Sequence, residues 1–177
     1  MPDATGLELL AQTLRERDAE CILDAEHVRG KGALTVRPDA IADVLEVLRG
    51  EGFSFLVSVH GVDYYPQEPR LGVQYELLDM EALDRLTVRL RVPLDAPNVP
   101  SVTPYWPTAN HQEREVYDMF GVNFTGHPDR RRILMPDDWQ GFPQRKDYPL
   151  EGPGELLMEN PLDWLKLRQA RQEADIE

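Results

Sequence analysis

Apolar side chains recur at two periods along the chain, and the periods separate its elements. Leu7, Leu10, Ala11 and Leu14 share one helical face, and Thr5 and Glu8 have capping-box spacing ahead of them. Cys21 to Val28 reads as a strand. Gly30-Lys31-Gly32 turns the chain into a second strand, Ala33-Leu34-Thr35-Val36. Pro38 suits the first turn of a helix carrying Ile41, Val44, Leu45 and Leu48, which Gly50 and Gly52 stop.

The period then changes to two. Phe53, Phe55, Val57 and Val59 alternate with mostly polar neighbours. Leu71, Val73, Tyr75 and Leu77 do the same, as do Leu86, Val88, Leu90 and Val92. Alternation of this kind marks strands with one face on a core. The connections at Pro66–Pro69 and Glu81–Asp84 are short, which predicts an antiparallel meander. The two amphipathic helices are available to cover its apolar face.

Beyond Pro93 the prolines at 97, 100, 104 and 107 mark an irregular stretch. A helix is predicted over Thr108–Phe120, with Ala109, Val116, Met119 and Phe120 as its stripe and Gly121 as its stop. From Val122 to Gly154 no period is visible. Five further prolines are interleaved there with arginines and aromatics, unlike a Gly/Ser linker, and a long irregular segment of this kind reads as an interaction arm. Asn160-Pro161 can cap a final helix. The predicted fold is α+β: an antiparallel sheet with helices packed on one face, plus a long irregular C-terminal arm. The expected divisions are 1–121, a docking arm at 122–154, and an acidic tail at 155–177.

Composition narrows what such a chain does. With 177 residues, 41% hydrophobic and 29% charged, it has enough apolar material for a core. No apolar run approaches the roughly 20 residues needed to cross a bilayer, so any membrane association is expected through a partner. The N-terminus has no signal-peptide pattern. Cys21 is the single cysteine, so an intramolecular disulfide is excluded, and the chain alone lacks the thiolates of an iron–sulfur cluster or a cysteine-rich zinc site. A formal charge of −13 disfavours nucleic acid as a partner.

The densest chemistry lies in Glu113-Arg114-Glu115-Val116-Tyr117-Asp118. On a helix, Arg114 and Asp118 are neighbours, as are His111 and Glu115. As exposed pairs they contribute about 0.2–0.5 kcal/mol each. That describes a solvated, salt-bridged face; the alternatives are a carboxylate pair for acid–base work or a His/Glu metal site. A third ligand is not evident, and the His-Glu-x-x-His spacing is absent. In Gly126-His127-Pro128-Asp129-Arg130-Arg131-Arg132 the guanidinium groups suit phosphate or carboxylate, with Asp129, Asp137 and Asp138 close enough to neutralise them. His127 either carries a proton or fixes a turn. Trp139 to Leu150 combines aromatics, prolines and the triplet Arg145-Lys146-Asp147, a composition suited to protein recognition. Walker, Gly-x-Gly-x-x-Gly and Gly-x-Ser-x-Gly patterns are not found.

Together these segments resemble the 30-kilodalton (C) subunit family of respiratory complex I, the NADH-quinone oxidoreductase. Glu113-Arg114-Glu115, Asp118, Met119-Phe120, His127, Arg131 and Ile133-Leu134 occupy the constrained positions of that family's signature. Gly141-Phe142-Pro143 with Arg145-Lys146-Asp147-Tyr148-Pro149-Leu150 resembles its second characteristic stretch, and Gly52-Phe53 and Val62-Asp63-Tyr64 resemble its sheet region. The likeness spans residues 33–150 and is tightest over 101–150. His111, Arg130 and Gln144 depart from residues common in the family, all outside the constrained positions.

The resemblance implies a peripheral-arm protein on the cytoplasmic side of the cell membrane. It implies no flavin or iron–sulfur cluster in this chain. It also implies packing chiefly against the large quinone-site (D) subunit, with the B and I subunits nearby. The implied complex passes electrons from NADH to quinone and couples this to proton translocation. Glu113, Arg114, Glu115, Asp118, His127, Arg131, Arg132, Arg145, Lys146, Asp147 and Tyr148 are the implied signature and interface residues, with no catalytic, cofactor or metal ligand among them. The alternative is the homologous component of a ferredoxin-dependent dehydrogenase or membrane-bound hydrogenase; a stand-alone acid–base enzyme using Glu113, Glu115 or His127 is the remaining reading.

Overall fold

A computed structural model describes residues 4–150 apart from Arg29. Helix α1 (Ala4–Arg17) leads into strands β1 (Ile22–Val28) and β2 (Lys31–Val36). A 3-10 turn at Pro38–Ala40 opens helix α2 (Ile41–Gly50). Strands β3 (Phe55–Asp63), β4 (Leu71–Asp79) and β5 (Asp84–Val92) follow, then β6 (Asn98–Pro100), helix α3 (Ala109–Phe120) and β7 (Asn123–Thr125). Thr5 lies inside α1 rather than ahead of it, so the expected capping box is not formed there.

The main sheet has the order β1-β2-β5-β4-β3. The meander β3-β4-β5 and the hairpin β1-β2 are antiparallel, and the two are joined by a parallel pairing of β2 with β5. The sheet is therefore mixed. Topology explains the parallel seam. A helix between two strands returns the chain to the end where it started, so β3 runs parallel to β2. Two reversals later β5 has that direction again. The fold is α+β.

Leu71, Val73, Tyr75 and Leu77 on β4, and Leu86, Val88, Leu90 and Val92 on β5, are buried as their alternation predicts. They meet Leu7, Ala11 and Leu14 of α1 and Ile41, Val44, Leu45 and Leu48 of α2 in one core. Strand β3 departs from its predicted face. The pairing register shifts between Leu56 and Ser58, a bulge at Val57. One extra residue exchanges the two faces of a strand. Leu56 and Val59 are consequently buried, while Phe55 is 50% exposed. Phe53 is buried from just outside the strand.

Strands β6 and β7 pair in parallel, through Val99 opposite Phe124, in a region where sequence periodicity gives no strand. Three residues are too few to show alternation. Both side chains are buried and extend the core beneath α3. Helix α3 lies against β3 because Gly61 has no side chain: a Cβ there would collide with the Phe120 ring. Gly121 ends α3 in the left-handed conformation (φ 77°), its N–H donating to the Tyr117 carbonyl. That is the stop the sequence predicts. The compact unit that contains the sheet extends to Lys146, and the residues from Asp147 onward form a second unit. The helix predicted after Asn160 lies outside the described residues.

Candidate interaction site around helix α3

The charged residues of α3 do not form the exposed pairs that their spacing suggests. Glu113 and Asp118 are both fully buried, and each ties a different loop to the helix. Helical geometry accounts for this, since positions five apart project on opposite flanks. Arg114 reaches past Asp118 to the loop that follows β7.

Glu113 faces the segment after β6. One carboxyl oxygen accepts the Ser101 hydroxyl (2.7 Å) and the other accepts the Val102 N–H (2.8 Å). Burial pushes its pKa up to about 7 against the lowering effect of those two hydrogen bonds. The Tyr75 hydroxyl, also buried, has no hydrogen-bond partner among the described residues. Its pKa is raised well above the ordinary value by burial and by the nearby Glu113.

His127 fixes a turn. Its Nδ1 accepts the Asp129 N–H at 3.0 Å, which leaves the proton on Nε2, directed at the Asn110 carbonyl 3.1 Å away. Nε2 is 3.8 Å from Glu113, too far for a strong hydrogen bond.

Asp118 acts as a cap for a loop rather than for a helix. Its Oδ2 accepts three consecutive backbone N–H groups, from Ile133, Leu134 and Met135, at 3.1, 2.7 and 2.8 Å. Its Oδ1 meets the Arg132 guanidinium at 2.5 Å. Burial alone raises the Asp118 pKa, but these donors outweigh it and hold the carboxyl below its ordinary value. Arg132 also donates to the carbonyls of Trp139 and Gly141. Arg114 completes the clamp by donating to the carbonyls of Arg131 and Arg132, both at 2.9 Å, and by pairing with Asp129 at 3.4 Å. Arg131 is exposed and pairs with Asp129 at 2.8 Å. Two apolar side chains, Ile133 and Leu134, stand out from this pinned loop, Leu134 at 60% exposure.

A second clamp holds the chain further on. Asp63, at the end of β3, binds Arg70 through two parallel hydrogen bonds of 2.9 and 2.7 Å, with both side chains buried. The same carboxylate accepts the Lys146 N–H at 2.7 Å, across 83 residues of sequence, and the Tyr65 N–H at 2.9 Å. Arg70 chiefly, with these backbone donors, holds Asp63 well below the usual carboxylate range. Arg145 donates to the Phe120 carbonyl at 2.6 Å and stacks on Phe142, whose ring meets Tyr117 edge-on. Lys146 Nζ lies 3.4 Å from the Tyr65 carbonyl. Asp147 and Tyr148 belong to the second unit.

Residues 34–154 match the family described as respiratory-chain NADH dehydrogenase, 30 Kd subunit. The chain belongs to that family. It is 44% identical over 153 residues to the NADH-quinone oxidoreductase C subunit of Roseiflexus sp. (strain RS-1), covering 85% of this chain and 86% of that one. It is likewise 44% identical to the corresponding C subunit of Citrifermentans bemidjiense over 141 residues, 79% of this chain and 88% of that one. Among solved structures it resembles a trypsin-resistant fragment of Nqo5, with a TM-score of 0.60 and 34% identity, covering 68% of this chain and 98% of the fragment. It also resembles a chain of the membrane-bound sulfane sulfur reductase, an archaeal respiratory membrane complex. The TM-score there is 0.70 at 25% identity, over 86% of this chain and 89% of that one.

The complex I signature residues thus converge on α3 and the loop it clamps. Glu113, Arg114, Asp118, His127, Arg131 and Arg132 are joined there by hydrogen bonds or ion pairs to residues of the same unit. Glu115 is exposed and has no hydrogen bond or ion pair among the described residues. His111 is exposed too, and the His111–Glu115 pair is not formed. No group of three metal-ligating side chains occurs among the described residues. The sequence carries no signal for Arg70, Ser101 and Asn110 as partners of these groups, nor for the Tyr75 hydroxyl buried near Glu113, and it marks Asp63 by resemblance alone. The one available signal was an acid at an inward position of a strand.

Proposed function

We propose that this chain is a cofactor-free scaffold protein of a proton-translocating NADH:quinone oxidoreductase, positioning the quinone-reducing module. It docks chiefly on the large quinone-site (D) subunit, with the B and I subunits nearby, on the cytoplasmic side of the membrane. Family membership supports the complex. The observation that carries the scaffold role is the way α3 uses its charges. Glu113 and Asp118 are closed to solvent and bonded to the chain's own backbone, so they build a shaped surface rather than face a substrate. Among the described residues no helix is long and apolar enough to cross a membrane, in keeping with attachment through partners. The single cysteine is in keeping with clusters carried by other members of the complex.

Affinity purification of the tagged chain tests this reading, with the quinone-site protein expected as the most abundant companion. Arg114→Ala is expected to lower the amount of assembled complex and leave turnover per assembled complex unchanged. A variant that assembles fully but is catalytically dead would make the residue part of the chemistry. Purified alone, the chain is expected to show no visible absorbance above the aromatic region. Likeness to a chain of the sulfane sulfur reductase complex favours a second reading, the equivalent component of a related complex with a different electron donor. Co-purification of a hydrogenase or a ferredoxin-linked protein, with no NADH-binding flavoprotein, would select it.

A further inference from the structure

Of the four charged signature positions on α3, three are bonded within the chain, and Glu115 is left over. Its surroundings give it a use. A groove of about 270 Å³ runs between β3, α3 and the clamped loop, lined by the apolar Met119, Phe120 and Leu134 and by the polar Glu115, His60 and Gln144. The groove has fixed walls. Asp118 pins the Leu134 backbone, and the Gln144 N–H donates to the Met119 carbonyl at 3.1 Å. Leu134 is held out into solvent by that bonding rather than left there by slack chain.

We propose that this groove receives an arginine side chain from the partner protein on which the chain docks. This rests on the docking reading above and deepens it by naming the contact. An arginine has an apolar stem that covers surfaces such as Met119 and Leu134, and a planar head that meets a carboxylate through two hydrogen bonds. Glu115 supplies that carboxylate, free of any competing cation among the described residues. The Gln144 amide and the His60 ring are further polar neighbours of the head. Charge complementarity favours a cation over an acidic occupant, because the groove's lining holds one carboxylate, Glu115, and no lysine or arginine. The guanidinium is weakly hydrated, so burying it beside Phe120 costs less than burying an ammonium. Arginines in such pockets are frequent anchors of protein interfaces.

The test uses the whole complex. Gln144→benzoylphenylalanine places a photo-crosslinker at the groove, and the crosslinked peptide is identified by mass spectrometry. A segment of the partner containing an arginine is expected. Glu115→Arg is then expected to weaken co-assembly roughly ten-fold. The isolated chain should keep its melting temperature, and changing the crosslinked arginine to glutamate should restore assembly. Crosslinking to this chain's own residues 151–177 or to a second copy would overturn the proposal. So would Glu115→Arg assembling like the unaltered chain, or a loss that no arginine-to-glutamate change on the partner rescues. In those cases docking itself still stands if the unaltered chain co-purifies with its partners. If the unaltered chain recovers none of them, both the docking reading and this contact are lost.

Discussion

At the scale of single residues, burial decides what the same side-chain type does. Glu113 and Asp118 stand on one helix, both fully buried, yet their protons behave oppositely. Asp118 gathers an arginine and three N–H groups and is held ionised. Glu113 gathers a hydroxyl and one N–H, and burial wins, lifting it from 4.5 to about 7. A carboxyl raised on folding favours the folded state fully below its unfolded value, and that contribution is lost as pH rises through the folded one. Unfolding free energy should therefore fall between pH 4.5 and 7 by an amount that Glu113→Gln abolishes, on the order of 3 kcal/mol for a shift of this size. Urea titrations of both proteins at about pH 5 and about pH 8 measure it; an equal pH slope in the two would count against it. Asp118→Asn should cost about 1–3 kcal/mol near neutral pH, because it removes the charge from the one acceptor that the half-buried Arg132 and three backbone N–H groups share. Chemical denaturation reads that cost directly.

At the scale of elements, α3 is a hub with three separable attachments. It sits on β3 through Gly61, bonds the segment after β6 through Glu113, and clamps the loop at 131–135 through Arg114 and Asp118. Gly61→Val would drive a side chain into the Phe120 ring. Overpacking of this kind costs about 1–3 kcal/mol, and a lower melting temperature is the expected readout. Arg114→Ala should loosen only the loop. Hydrogen exchange at 131–135 is expected to quicken while amides of β4 and β5 keep their protection. Uniform quickening would show instead that the clamp belongs to the global fold.

At the scale of the whole molecule, the two carboxylate clamps join segments far apart in sequence into one cooperative unit. Asp63 holds the Lys146 N–H, so a chain ending at 146 retains the contact that a chain ending at 141 lacks. The 1–146 fragment is expected to unfold in one cooperative transition. The 1–141 fragment should melt lower, having lost Arg145 from Phe120 and Lys146 from Asp63. Calorimetry of the pair distinguishes this from an arm that contributes nothing.

How much was legible in the sequence follows from how local each interaction is. Period two on β4 and β5, period 3.6 on α2, and the glycine after α3 all depend on neighbours within a few residues, and they dictated those elements by themselves. The signature around α3 likewise fixed the family from residue order alone. The β3 bulge was not legible. Phe55 and Val57 look inward-facing until pairing with β4 takes up one extra residue at Val57. The short parallel pair β6–β7 depends on segments two dozen residues apart. The full burial of Glu113 and Asp118 on α3 was hidden for the same reason. Spacing of four offered Arg114 to Asp118, and only tertiary structure could bring the better partners, since the 131–135 backbone lies at least a dozen residues away in the chain. Sequence determined the elements and the family because those are set by local sterics and apolar periodicity. Tertiary structure decided which charges are buried and which one, Glu115, remains open, because desolvation and backbone donors arise only when distant segments meet.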